Sequence, residues 1–273
     1  MKILQLSDIH ISSPHDKPHG VDVRKNMQNC LQAAMNRGVD LLVITGDLCL
    51  QDGDPEIYQW LKEILEDLPI AWRVIAGNHD CSTLMADIFS LSRYYHTAQK
   101  ELYWKERWQK HDLYFLDTSQ GDVSDTQLAW LQRNLVQTAQ TTQTAQTAQA
   151  KLLTPTPSLT QATHPPLIFM HHPPVKLSVP LMDDRNFPAP DSTRFLAVLK
   201  ESSVKPHVFV GHYHVDKVAI MNEANIWACP STFYQMCQMS QNFAIEHRRA
   251  GYRMIELTAN GCVLSGTHYL DHT

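Results

Sequence analysis

The chain has 273 residues, is 43% hydrophobic and carries a formal net charge of −5. That suffices for one large domain or two small ones with a substantial core. It offers no basic field for a nucleic-acid backbone, and no run of roughly 18 apolar residues that could cross a membrane. The start of the sequence runs into a strand pattern without an apolar leader, so a cytoplasmic protein is expected. The six cysteines lack CxxC spacing and read as reduced thiols. Fifteen histidines is the unusual count, because histidine is both a common metal ligand and a common acid/base.

In chain order, KILQLS is a short apolar strand. The next segment sets Val23, Met27, Cys30, Leu31, Ala34 and Met35 on one helical face and stops at Gly38. DLLVIT is an all-apolar strand of the kind buried on both faces. Pro55, a favourable first-turn residue, opens the helix PEIYQWLKEILEDL. WRVIA and HDLYFLDT are strands, and Ser124 caps a further helix. Residues 137–150 contain only Gln, Thr and Ala, and a Pro/Thr-rich stretch follows. An insertion over about 137–165 is expected there, helix-tolerant at first and then a mobile surface excursion. No domain boundary is read, because the strand pattern resumes at Leu167. PLIFM and HVFV are strands flanking the helical DSTRFLAVLKE. Past residue 214, KVAIM, NIWAC, YRMIEL and CVLSGTHYL read as strands joined by turns such as Asn260-Gly261. The alternation predicts a layered α/β domain over 1–273, with helices covering the sheets and the β-rich tail past residue 214 pairing into a second sheet.

Five of these strands end alike. KILQLS is followed by Asp8 and His10, LLVITG by Asp47, RVIAG by Asn78 and His79, LIFM by His171 and His172, and VFVG by His212 and His214. In open α/β sheets ligands bind at the C-terminal strand ends. Asp8, Asp47, Asn78, His10, His171, His212 and His214 alone give two carboxylates, an amide oxygen and four imidazoles, too many donors for one tetrahedral ion, and no cysteine stands among them. The set suits two ions sharing a carboxylate, with Mn, Fe, Zn or Co favoured by mixed N/O ligation. Two ions roughly 3.5–4 Å apart are a standard arrangement for phosphate-ester hydrolysis. Asp8 and His10, like His212 and His214, are read as i, i+2 pairs projecting to one side of extended chain. A lone DxH or HxH would carry little; the agreement of order and position carries the signal.

The blocks SDIH, TGDL, AGNHD, MHHPP and GHYH resemble the signature motifs of the calcineurin-like metallophosphoesterases, in that family's order across residues 7–214. GVDVRKNMQNCLQAA, ACPSTFYQ, SQNFAIEHRRAGYRMIEL and the closing THYL further resemble the bacterial class III 3′,5′-cyclic-AMP phosphodiesterases. The resemblance implies a four-layer α-β-β-α sandwich of two packed mixed β-sheets flanked by helices. It implies that Asp8, His10 and His214 bind one ion, that Asp47 bridges, and that Asn78, His171 and His212 bind the other. His79 would face the scissile phosphate with Asp80 behind it as orienting partner, and His172 would lie beside the ligands without being one. Gly77 is read as the residue that lets the chain turn into the site.

A water or hydroxide shared by the two ions, of Fe, Mn or Zn type, is then the expected nucleophile, and His79 the candidate general acid. Substrate choice falls to the loops. His15, His19, Arg24, Arg185 and Asn186 are candidate contacts, 173–191 is a possible cap loop, and 236–243 a segment near the site or a dimer partner. The leading expectation is hydrolysis of 3′,5′-cyclic AMP to 5′-AMP, with a homodimer possible. Alternatives are a broad phosphodiesterase for glycerophosphodiesters and a metal-loaded scaffold. The latter has no need of a histidine at the phosphate. A DNA nuclease is disfavoured by the acidic charge.

Overall fold

The computed structural model describes residues 1–136, 164–185 and 189–271. The expectations for 137–163 and for Asn186 lie outside the described residues.

Two mixed sheets face one another. In the first, β1 (Lys2–Leu6), β2 (Leu41–Thr45) and β3 (Ala71–Ile75) run parallel. The antiparallel β14 (Gly251–Leu257) and β15 (Val263–Tyr269) extend it, giving the order β15-β14-β1-β2-β3. The second has the order β10-β11-β9-β8-β7-β6. Its strands are β6 (Trp104–Trp108), β7 (His111–Phe115), β8 (Leu167–Phe169), β9 (His207–Val210), β10 (Lys217–Ile220) and β11 (Asn225–Ala228). Two ribbons, β4 (Tyr95–His96) with β5 (Glu101–Leu102) and β12 (Gln235–Met236) with β13 (Ile245–His247), complete the β structure among the described residues.

Helices α1 (Val23–Met35), α2 (Pro55–Glu66) and α3 (Ser82–Ile88) share a core cluster with the first sheet. Helix α4 (125–136), the short α5 (Pro180–Asp183) and α6 (Ala189–Lys200) belong to the other side, on the outer face of the second sheet. The expected α-β-β-α layering is what forms. The helix starts follow from local chemistry. Asp22 accepts from Lys25 N to cap α1, and Asp54 accepts from Glu56 N and Ile57 N ahead of Pro55 in α2.

The strands alternate as buried strands must. Leu113, Phe115, Leu167, Phe169 and Phe209 enter the inter-sheet core. Tyr114, Ile168, Val208 and Val210 enter the helix-side core. Between the sheets the rings of Trp104, Phe115, Phe169, Phe209 and Trp227 stack from strand to strand at 4.6, 5.5, 5.4 and 6.3 Å. This ladder pins the register of five neighbouring strands, so the polar ends of β8 and β9 arrive level with one another. Phe169→Ala would open a cavity at its centre costing about 3–5 kcal/mol.

The tail past residue 214 departs from expectation. It does not form a sheet of its own: β10 and β11 join the second sheet and β14 and β15 join the first. Without β14, β1 would present an unpaired edge, and β1 carries two of the site residues. Helix α3 and strand β6 were not among the expected elements. WKERW places charges at an edge, where Glu106 receives two hydrogen bonds from Arg73 on the edge of the facing sheet, at 2.6 and 2.8 Å. The described part of 173–191 is anchored rather than free. Leu177, Val179 and Met182 are buried, and Asp183 accepts from Leu177 N, Val179 N and Tyr213 Oη.

Candidate metal centre

The C-terminal ends of β1, β2, β3, β8 and β9 converge on one crevice. Asp8, His10, Asp47, His171, His172 and His214 are buried there, His79 and His212 are half-buried, and Asn78 is exposed at the mouth. The backbone route differs from the extended i, i+2 pairs inferred from sequence. Asp8, His10, Asp47, His212 and His214 have φ of 51°, 46°, 52°, 68° and 52°, all left-handed. Each such non-glycine residue costs on the order of 1 kcal/mol or more. A sharp turn at each ligand packs more donors into the crevice than straight strands could. Local hydrogen bonds hold the strain: His10 N donates to Asp47 O (3.0 Å), Asp8 N to Gly46 O (3.1 Å), and His212 N to the Asp8 carboxylate (3.0 Å). Gly77 serves close approach rather than a turn. Its φ is not left-handed, but a Cβ there would lie 2.3 Å from Asp47 Oδ1. A Cβ on Gly211 would lie 1.9 Å from Ser7 Oγ and 2.7 Å from Asp8 Oδ2.

The donors form two overlapping groups. In one, His214 Nε2 lies 3.4 Å from Asp8 Oδ1 and 3.1 Å from His10 Nε2, which is 3.6 Å from Asp47 Oδ2. In the other, His171 Nε2 lies 3.4 Å from Asp47 Oδ1, 3.2 Å from Asn78 Oδ1 and 4.0 Å from Asp8 Oδ1. Asp47 faces both. His212 and His172 join His171 in a third set with donor atoms mutually within 4.8 Å, and His79 joins His10 and Asp47 in a fourth.

The tautomers follow from the partners. His171 Nδ1 lies 2.8 Å from Thr45 O, and His214 Nδ1 lies 3.1 Å from Tyr234 O. A carbonyl only accepts, so each Nδ1 carries the proton and each Nε2 turns its other face to the cluster. Neutral His171 would then aim a lone pair at three oxygen acceptors, an arrangement that calls for a cation between them. Burial opposes protonation of His171, but the Asp47 and Asp8 carboxylates outweigh burial and push it up to about 9. Burial likewise opposes ionisation of Asp8, yet His214 and His171 hold that carboxyl below its usual range. Asp47 is held well below it by His171 and His10, again against burial. Burial lowers His10 to about 4, and burial with His171 lowers His212 to about 3, so both are neutral and able to ligate. His212 Nε2 is buried with no hydrogen-bond partner among the described residues. Buried carboxylates, facing lone pairs and an orphaned ring nitrogen fit divalent cations.

Asp80 does not orient His79. Its carboxylate accepts from Gly77 N (2.9 Å), Leu48 N (3.1 Å), Cys49 N (3.3 Å) and Tyr58 Oη (3.0 Å). It thereby clamps the Asp47 loop to the Asn78 loop. Burial and Asp47 raise it to about 6. His79 Nδ1 instead donates to Gln51 O (2.9 Å), leaving Nε2 for the crevice. Gln51, Thr45 and Tyr234 act through carbonyls, which leave no trace in side-chain identity. Tyr58, ahead of the site motif in a helix, gave no signal either. Arg24 is committed elsewhere: it donates to Ser12 O (2.9 Å) and lies 3.9 Å over the Trp60 ring. His172 Nδ1 sits 3.1 Å from Thr118 Oγ1.

A sequence profile of the calcineurin-like phosphoesterases matches residues 1–216, most of the chain. The chain belongs to the calcineurin-like phosphoesterase family. This calcineurin-like protein is thus a metal-dependent phosphoesterase, and its Asp and His groups are placed to hold the metal ions of such an enzyme. It is 27% identical over 260 residues to a probable cyclic nucleotide phosphodiesterase of Fibrobacter succinogenes, covering 95% of this chain and 91% of the relative. It is 25% identical to the 3′,5′-cyclic adenosine monophosphate phosphodiesterase CpdA of Escherichia coli K12, covering 100% of this chain and 91% of CpdA. Among solved structures a dimetal phosphatase from Danio rerio shares the fold at a TM-score of 0.60 and 13% identity, covering 93% of this chain and 94% of that one. No helix among the described residues is long and apolar enough to cross a membrane.

Proposed function

We propose that this phosphoesterase hydrolyses a 3′,5′-cyclic nucleotide, cyclic AMP first among them, to the 5′-monophosphate in the cytoplasm. The observation that carries the reading is the extent of likeness to the named cyclic nucleotide phosphodiesterases. It runs past residue 216, through the strands that lie outside the family profile. Two ions, of Fe, Mn or Zn type, would supply an activated water and charge neutralisation for the phosphoryl oxygens. Asp8, His10 and His214 would hold one, Asn78, His171 and His212 the other, with Asp47 between them.

The chain's own residues do the rest. Asp47 Oδ1 accepts from His79 N (3.0 Å), which ties the His79 backbone to the cluster. The Gln51 carbonyl keeps the Nδ1 proton, so the proton exchanged with substrate sits at Nε2. A protonated His79 would give it to the departing 3′ oxygen, a contribution of about 10²–10⁴-fold. The test is a substrate panel on metal-loaded protein: cyclic AMP, cyclic GMP, 2′,3′-cyclic AMP, glycerophosphocholine and single-stranded DNA. Preference for the 3′,5′-cyclic nucleotides is expected. Preference for glycerophosphocholine would overturn the substrate assignment.

A further inference from the structure

An aromatic wall stands beside the ligand cluster. Phe233 lies 5.5 Å from His10, and Tyr234 lies 4.8 Å from His214, centroid to centroid. His19 contacts Phe233, Tyr234 and Phe243 at 5.8, 5.5 and 5.6 Å. Phe233 is buried, but Phe243 is 50% exposed. It sits on the turn between β12 and β13, in the region past residue 216 that the family profile leaves uncovered.

The wall is rigidly tied to the site. Ser231 Oγ donates to Asp8 O (2.7 Å) and accepts from Phe233 N (2.8 Å), and Tyr234 O receives the His214 Nδ1 proton. A large ring left half-exposed at such a place is a preformed surface for a flat partner. Arg248 Nε donates to His19 O (2.9 Å), which places a cation beside the wall; that disfavours a quaternary ammonium and suits a neutral heteroaromatic ring.

We propose that Phe243, backed by His19 and Tyr234, is the platform on which the substrate's nucleobase stacks. The inference rests on the cyclic-nucleotide reading above and specifies how that site selects a nucleoside. The fused ring system lies over the Phe243 ring while the phosphodiester reaches the His10–His214 side of the cluster. Base–aromatic stacking is tolerant of sequence, so adenine and guanine are both accepted.

The test uses full-length metal-loaded protein, Phe243→Ala and Phe243→Trp, with calorimetric binding of 5′-AMP and of ribose 5-phosphate. Phe243→Ala should weaken 5′-AMP about 5- to 100-fold relative to ribose 5-phosphate, and Phe243→Trp should restore the difference. Equal weakening of both ligands, or of neither, overturns the platform. Turnover is read in parallel as kcat/KM for cyclic AMP against trimethylene phosphate, a base-free cyclic diester. The platform expects that ratio to fall in Phe243→Ala. An unchanged ratio sinks the platform while leaving the cyclic-nucleotide reading in place. A base-dependent loss of 5′-AMP binding in a protein that never turns over cyclic AMP sinks that reading and leaves the platform standing.

Discussion

Replacing Asp80 with asparagine separates a structural clamp from a catalytic partner. The Asp80 carboxylate gathers three backbone N–H groups and the Tyr58 hydroxyl. With the asparagine oxygen in the Oδ1 position, the amide NH2 would face Gly77 N and leave that donor unsatisfied. A buried orphan donor costs about 1–3 kcal/mol. The remaining donors, those of Leu48, Cys49 and Tyr58, would pass from charged to neutral hydrogen bonds, each about 0.5–1 kcal/mol weaker. These losses sum to roughly 2.5–6 kcal/mol, partly offset because the neutral amide escapes the burial and Asp47 repulsion that raise Asp80 to about 6, which leaves a fall in Tm on the order of 10 °C for a chain of this size. The loosened loops carry Asp47 and Asn78, so metal affinity should fall as well. Thermal melts with and without metal, together with the pH profile of kcat, decide the matter. A stable, metal-replete Asp80→Asn protein with a shifted kcat profile would refute the clamp and restore Asp80 as the partner of His79.

Other consequences follow from single contacts. Gly211→Ala would push its Cβ against Ser7 Oγ and Asp8 Oδ2. Elemental analysis should then find less than the full metal complement, with the fold retained by circular dichroism. Chelation should lower Tm, because ions bound to the native state alone stabilise it by about 2.7 kcal/mol at a free concentration of 100 Kd. Glu101, buried beside Asp117 and accepting from Ser124 Oγ (2.8 Å), is pushed up to about 7 by burial. A carboxyl with a raised folded pKa contributes stability that is present below its unfolded value and is lost as pH rises toward 7. Glu101→Gln should therefore gain Tm relative to the parent at pH 8 and not at pH 4; a gap that does not grow with pH would contradict this.

The features most legible in the sequence were those with a periodic or positional signature. Buried β1, β2 and β9 read as apolar runs because both faces are covered, and the donor residues read from their shared place after those runs. What escaped was set by tertiary pairing. β6 is a charged edge strand whose Arg73–Glu106 clasp depends on the facing sheet. The left-handed turns at Asp8, His10, His212 and His214 depend on hydrogen bonds to other strands. The Asp80 contacts escaped for a related reason: adjacency to His79 in sequence suggested a pair, whereas the two side chains take separate partners, Asp80 the backbone N–H groups of Leu48, Cys49 and Gly77 and His79 the carbonyl of Gln51. The division of the C-terminal strands between sheets was equally invisible, since each strand pattern is compatible with either edge.

The proposed hydrolysis of a 3′,5′-cyclic nucleotide by solvent water at this cluster is tested most directly by turnover of cyclic AMP by metal-loaded protein in oxygen-18 water, followed by phosphorus NMR. The expected product is 5′-AMP with the heavy oxygen on phosphorus. Formation of 3′-AMP, or an untouched substrate beside a protein that cleaves glycerophosphodiesters, would contradict it.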